Sequence, residues 1–290
     1  MTLERPSPCK VNLILNILGR RADGFHELET VMMPVPLTDV LRFESRAAGI
    51  SLTCSHPELP VDRGNLVYRA AEAFFGATGL SAGVSVHLEK RLPLAAGLGG
   101  GSANAAVALL ALNELFDSPL STDRITQLAA GLGSDVPFFL QPGPALALGR
   151  GEQVTPTGEL SVLKGCGILL VHPGFGVPTA WAYQTLAGYP DAVRGRPGRA
   201  AEWLALARSG DRAVACRSLY NALEAPVLPK YPLLALFQAF FREQDALGTL
   251  MSGSGSTTFA ITADGASAES LRERFVSRFG DANWTATAVL

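Results

Sequence analysis

Gly97, Gly99, Gly100 and Gly101 crowd into five positions of the stretch PLAAGLGGGSANAAVALLAL, which runs from Pro93 to Leu112. Glycine has no Cβ and lets a backbone come close to something else, at an entropic cost when ordered. Here the flexible residues stand directly before strong helix formers. A strand reading ends at Arg91, Pro93 blocks its continuation, and the pattern turns helical from Ser102, with Ala105, Leu109, Leu112 and Phe116 on one face. A glycine-rich loop feeding a helix N-terminus is an anion site, because free N–H groups point outward and the helix dipole favours negative charge. Phosphate is the obvious guest, and a structural turn is the plain alternative. Three familiar phosphate loops do not fit. There is no Lys for a Walker A motif, Ser102 stands where the dinucleotide fingerprint needs its third Gly, and H-R-D and D-F-G are missing.

Other residues offer chemistry with a bland reading beside each. Lys10 and Asn12 lie on the polar side of the alternating run CKVNLILNIL. The chain holds 20 Arg and only 4 Lys, so a Lys kept in a strand suggests a need for a compact ammonium. Otherwise it is a solvated edge lysine. Asp135, in GLGSDVPFFL, is either a helix cap ahead of Pro137 or a carboxylate that accepts or orients a substrate hydroxyl. In GRRADGFHELETV, Phe25 beside His26 could sandwich and hydrogen-bond a flat ring, or the segment is a hairpin. A second glycine cluster, MSGSGSTTFAI, is a hinge or a place where another backbone or ligand comes close.

The elements that must position these residues are legible. CKVNLILNIL and VSVHLEKRLP read as half-buried strands, the first with Cys9, Val11, Leu13, Leu15 and Ile17 inward. NLVYRAAEAFFGATG reads as a helix capped by Asn65 and stopped by Gly79, and STDRITQLAAGLG as another. CGILLVH, STTFAIT and NWTATAVL read as strands, and AESLRERFVSRFG as an amphipathic helix ended by Gly280. Strands and helices mix without regular alternation, so the class is α+β. Glycine, proline and polar residues cluster in GRGEQVTPTGEL, which puts a boundary near residue 155 between domains 1–155 and 156–290. DAVRGRPGRAA reads as an exposed loop.

The 290 residues are 48% hydrophobic and 17% charged, enough for one large or two modest packed domains. A net charge of −2 gives no overall basic field for nucleic acid or an acidic membrane. The four cysteines are scattered without metal spacing and read as reduced thiols of a cytoplasmic protein. The N-terminus is too polar for a signal peptide, and no apolar run is long enough to span a membrane.

Taken together, PLAAGLGGGSANAA resembles the second motif of the GHMP kinases, usually P-x-x-x-G-L-G-S-S-A-A. SPCKVNL is similar to their first motif and MSGSGSTTFAI to their third. Within that superfamily, GRRADGFHELETVM, GLGGGS and GSDVPFFL resemble the members whose substrate is a cytidine diphosphate sugar alcohol. The resemblance implies a two-domain GHMP kinase fold, with an N-terminal domain like ribosomal protein S5 domain 2 and a ferredoxin-like C-terminal domain. It implies ATP-dependent phosphorylation of the 2-hydroxyl of 4-(cytidine 5′-diphospho)-2-C-methyl-D-erythritol, in non-mevalonate isoprenoid biosynthesis. Lys10 and Asp135 match the catalytic pair. Leu94, Ala95, Ala96, Gly97, Leu98, Gly99, Gly100, Gly101, Ser102, Ala103 and Asn104 match the ATP phosphate loop, and Asn65 a position near the nucleotide. Asn12, Phe25, His26, Thr179 and Tyr183 match the substrate pocket, with cytosine between Phe25 and Tyr183. The chain departs from the pattern at Phe25, where Tyr is usual, and at Ala103, where a second Ser is usual. ATP brings Mg²⁺, whose protein ligands stay unassigned. The alternatives are a homoserine- or mevalonate-type kinase, whose substrates carry no base to stack, and a non-catalytic sensor, which needs neither Lys10 nor Asp135.

Overall fold

The computed structural model describes residues 2–290, apart from the side chain of Ser209. In chain order the elements are β1 (Thr2–Arg20), β2 (His26–Arg46), β3 (Gly49–Cys54), α1 (Leu66–Thr78), β4 (Gly83–Glu89), α2 (Gly100–Leu115) and α3 (Thr122–Leu132). Then follow β5 (Ala145–Gly149), β6 (Gln153–Pro156), β7 (Gly167–His172), α4 (Thr179–Thr185), α5 (Pro190–Val193), α6 (Arg199–Ser209) and α7 (Arg212–Arg217). The chain closes with β8 (Tyr220–Asn221), α8 (Glu224–Lys230), α9 (Pro232–Glu243), β9 (Gly248–Met251), β10 (Thr258–Thr262), α10 (Gly265–Phe279) and β11 (Trp284–Val289).

The compact units are interleaved along the chain. One holds the chain up to Cys9 with Leu37–Leu92 and Gly99–Pro142; the other holds Lys10–Pro36, Pro93–Leu98 and Gly143–Leu290. The long strands β1 and β2 therefore contribute residues to both. Residue 155 lies in β6, within the second unit.

In the first unit, β4 pairs with the end of β2 (Val40 opposite Glu89) and, in parallel, with β3. Val84, Val86 and Leu88 are buried, as their alternation predicts. The helices form where their caps stand. Asn65 Oδ1 accepts the Val67 N–H at 2.9 Å, and α1 ends at Gly79 with φ 67°. Ser121 caps α3 through the Arg124 N–H. Phe74, Phe75 and Phe116 lock the unit's helices together, ring centroids 5.4–6.0 Å apart.

In the second unit, β5 pairs with the start of β2 and with β6, and β8 lies parallel to β1. A separate antiparallel sheet has the order β11-β7-β10-β9. Numbered along the chain its strands run 4-1-3-2, with α10 between the third and fourth, the ferredoxin-like arrangement. Phe237 and Phe241 of α9 meet Phe275 and Phe279 of α10 on this sheet, with Phe237 and Phe275 4.8 Å apart. Asp264 caps α10 and Gly280 stops it.

Two sequence expectations change. β1 is not half-buried: Lys10, Asn12 and Asn16 on its polar side are as buried as the apolar side, so this side is an internal polar seam. DAVRGRPGRAA is not simply an exposed loop. It contributes α5 and the start of α6, and Gly195 is buried so tightly that a Cβ there would sit 2.1 Å from Asn16 Oδ1.

His172, at the end of β7, is buried, and its Nδ1 accepts the Gly174 N–H at 3.3 Å. Burial holds its pKa below the ordinary histidine value. The unfolded chain takes up a proton near pH ~6.5 and the folded one resists it, so stability falls as pH drops through that value. Urea unfolding at pH 7.5 and 5.5 should show a lower midpoint at 5.5, and His172→Gln should flatten the difference. An unchanged pH slope in His172→Gln would refute this assignment.

Candidate active site

The polar seam of β1 is built around one ammonium. Lys10 is 2% exposed, so its charge needs acceptors. Nζ donates to Asn12 Oδ1 at 2.7 Å and to the Gly97 carbonyl at 2.9 Å. Asn12 is oriented in turn: its Nδ2 donates to Thr30 Oγ1 at 2.9 Å, and Thr30 donates to the Ile14 carbonyl at 2.6 Å. That polarity leaves Oδ1 facing the lysine. The Lys10 backbone N–H reaches the Leu98 carbonyl at 2.9 Å, so β1 is fastened to the glycine loop by main chain and side chain alike.

The second glycine cluster meets the same loop. Ser252 Oγ donates to the Gly97 carbonyl at 2.9 Å, and the Thr257 N–H donates to the Ala96 carbonyl at 3.1 Å. Gly97 has φ 75°, and a Cβ there would lie 2.0 Å from the Ser252 carbonyl oxygen. A Cβ on Gly253 would come within 3.3 Å of the Lys10 ammonium. The cluster thus allows a close approach, and the approaching backbone is that of Gly97.

Within the first unit, α2 begins at Gly100, two residues before the helical pattern. Its cap, Gly99, is left-handed at φ 69° and makes no side-chain hydrogen bond to the first turn. A glycine-capped helix start leaves N–H groups for an anion. Ahead of it, buried Asp39 accepts the N–H groups of Arg91 and Leu92 at 2.8 and 2.9 Å and the Lys90 ammonium at 2.7 Å. Asp39 therefore fixes the turn entering the loop. Asn65, besides its cap, donates to the Pro60 carbonyl at 2.9 Å.

Asp135 belongs to the turn before a 3-10 helix, Pro137–Leu140, whose cap is Val136. No α-helix starts there for Asp135 to cap. Phe138 and Phe139, three and four residues further on, are buried.

Phe25 and His26 sit where β1 turns into β2, so the segment is the hairpin of the plainer reading. Asp23 accepts the Phe25 N–H at 3.1 Å, and Arg21 pairs with Asp23 and Glu27. Phe25 is 50% exposed, with the Arg150 guanidinium 4.7 Å from its ring centre. Tyr183 and Thr179 are one turn apart on α4 and share a face. The ring facing Tyr183 is His26, at 5.1 Å. Thr179 Oγ1 lies 2.9 Å from Ser254 Oγ. Burial and the nearby Arg20 push the His26 pKa down, which favours the neutral imidazole.

Comparison with known proteins identifies the family. The GHMP kinases N terminal domain matches residues 65–143 and the GHMP kinases C terminal domain residues 193–282. A 4-diphosphocytidyl-2-C-methyl-D-erythritol kinase of Pelotomaculum thermopropionicum is 43% identical over 95% of this chain and 94% of its own length. The chain belongs to the GHMP kinase family. A kinase of the same name from Synechococcus sp. is 42% identical over 96% of this chain and 91% of its own. The crystal structure of a 4-(cytidine 5′-diphospho)-2C-methyl-D-erythritol kinase superposes with a TM-score of 0.79 at 34% identity, covering 99% of this chain and 100% of that one. The two-domain GHMP kinase fold is therefore that of this kinase.

In this GHMP kinase the second unit brings together Lys10, Asn12 and Gly97, and separately His26, Tyr183 and Thr179. The first unit holds Asn65, Asp135 and the loop from Gly99 to Asn104. Sequence reasoning missed Thr30, Ser252 and Gly253 as parts of the lysine's surroundings. The only signal for the last two was their glycine-rich cluster. Thr30, one β-branched residue in a strand, carried none.

Proposed function

We propose that this kinase transfers the γ-phosphoryl group of ATP to the 2-hydroxyl of 4-(cytidine 5′-diphospho)-2-C-methyl-D-erythritol, in non-mevalonate isoprenoid biosynthesis. The observation that carries the reading is the buried Lys10 ammonium, held against the Gly97 carbonyl at the start of the glycine loop. The names of the relatives support the choice of substrate.

ATP supplies the phosphoryl group, and the chain supplies position and charge. The N–H groups at the start of α2, with Ser102, cradle phosphate oxygens; Asn65 and the residues from Leu94 to Asn104 frame the nucleotide. Lys10 offsets charge at the transferring group, and Asn12 keeps that ammonium in register. Asp135 takes or steers the proton of the acceptor hydroxyl. Mg²⁺ enters with the nucleotide phosphates. Cytosine stacks against Tyr183 and Phe25, with neutral His26 at its polar edge and Thr179 beside it. The four cysteines are free, as fits a reducing compartment such as the cytoplasm.

The test is ATP turnover with and without the cytidyl substrate. Phosphorylation of homoserine or mevalonate at equal efficiency would reassign the acceptor. ATP binding with no transfer to any of them would favour a sensor. Tyr183→Ala tests the base contact. One stacked ring contributes about 1–3 kcal/mol per base, so the KM for the cytidyl substrate should rise about fivefold or more. The KM for ATP should stay within about twofold, and an equal rise in both would sink the stacking role.

A further inference from the structure

Asn221 sits on β8, next to β1 in register with Leu15, and is 3% exposed. Its side-chain amide is fully committed. Nδ2 donates to the Met251 carbonyl at 2.7 Å and to the Gly253 carbonyl at 2.8 Å, while Oδ1 accepts the Leu223 N–H at 2.9 Å. The two carbonyls flank Ser252. One NH₂ group therefore clamps the backbone on both sides of Ser252 and sets where its hydroxyl points. That hydroxyl donates to the Gly97 carbonyl, the acceptor the Lys10 ammonium also uses. Both donors reach it at 2.9 Å.

We propose that Asn221 and Ser252 are positioning residues for Lys10. Asn221 fixes Ser252, Ser252 fixes the Gly97 carbonyl, and that carbonyl, with Asn12, fixes the ammonium. The relay is polar and directional, so each link has an isosteric break. Ser252→Ala deletes one hydroxyl from a fully buried site and leaves the backbone alone. Asn221→Asp keeps the shape but replaces an NH₂ donor by an oxygen facing two carbonyls. Ser252→Thr keeps the donor.

The inference rests on the proposed phosphoryl transfer for its kinetic readout, so the experiment carries a second readout without substrate. The chain has only 4 lysines, so the Lys10 ammonium can be followed by ¹⁵N NMR, with Lys10→Ala identifying the signal. In the ligand-free protein, Ser252→Ala and Asn221→Asp should shift or broaden the Lys10 signal, and Ser252→Thr should leave it near its wild-type position. With ATP and the cytidyl substrate, Ser252→Ala should lower kcat about tenfold, because small misplacements of a reacting group are costly. Both KM values should stay within about twofold, and Ser252→Thr should recover most of the rate. In a Lys10→Ala background, Ser252→Ala should change kcat less than about twofold, since the residues act through one group.

An unmoved Lys10 signal in Ser252→Ala overturns the relay. So does a tenfold loss that persists without Lys10, because the hydroxyl then acts elsewhere. If Asn221→Asp does not fold, Ser252→Ala and Ser252→Thr still decide. If wild-type protein transfers no phosphate to the cytidyl substrate, the proposed function fails while the NMR readout decides the relay by itself.

Discussion

Asp135→Asn should lower kcat by about 10²–10⁴-fold, the range that general acid–base help contributes, while ATP still binds. The change keeps size and much of the hydrogen bonding but removes the charge and the basicity. The cap position of the 3-10 helix that follows belongs to Val136, not Asp135. The companion substitution is Lys10→Ala, which should also depress kcat, because the proposed mechanism puts this charge near the transferring group. Lys10→Arg should not restore it. The ammonium lies between Asn12 Oδ1 and the Gly97 carbonyl, with Gly253 close enough that one added Cβ would press on it. A planar guanidinium does not fit where a compact ammonium is held. Single-turnover transfer with saturating ATP and substrate measures both. A near wild-type rate in Asp135→Asn removes the carboxylate from the mechanism.

Gly97→Ala should be as damaging from a single methyl group. The position needs φ 75°, which disfavours an L side chain by about 1–2 kcal/mol. Its Cβ would also lie 2.0 Å from the Ser252 carbonyl, a backbone atom that no side-chain rotation moves aside. The loop must shift, and with it the carbonyl that holds Lys10. We expect kcat to fall by about 10²-fold or more, the scale of an ångström's misplacement of a reacting group. Gly131→Ala is the control, because it lies in α3, outside the loop, and a Cβ there meets nothing within 4 Å. If Gly97→Ala kept full activity, the tight contact between the two glycine clusters would be irrelevant to turnover.

These expectations show what a sequence of this kind exposes. Helix α1 was legible from the Asn65 cap and the Gly79 stop, and α3 and α10 from their apolar faces, with Gly280 ending α10. Strands β4, β7, β10 and β11 were legible from apolar runs and alternation. The burial of Lys10 and Asn12 was not legible, because a polar residue on an alternating strand reads the same facing water or facing Thr30 and Gly97. The start of α2 was misjudged by two residues because glycines hide a helix that begins on them. The meeting of Ser252 with Gly97 joins positions 155 residues apart, and no local pattern encodes it. The interleaving of the units was equally hidden, since composition marks loops and not the points where a strand leaves one unit for the other.

That interleaving bears on inheritance. Each unit is assembled from three separate stretches, and the short Pro93–Leu98 stretch of one is spliced between two stretches of the other. No single cut yields either unit whole. A gene of this kind cannot trade one half by a single crossover, as a chain of consecutive modules can, because any junction inherits torn pieces of both.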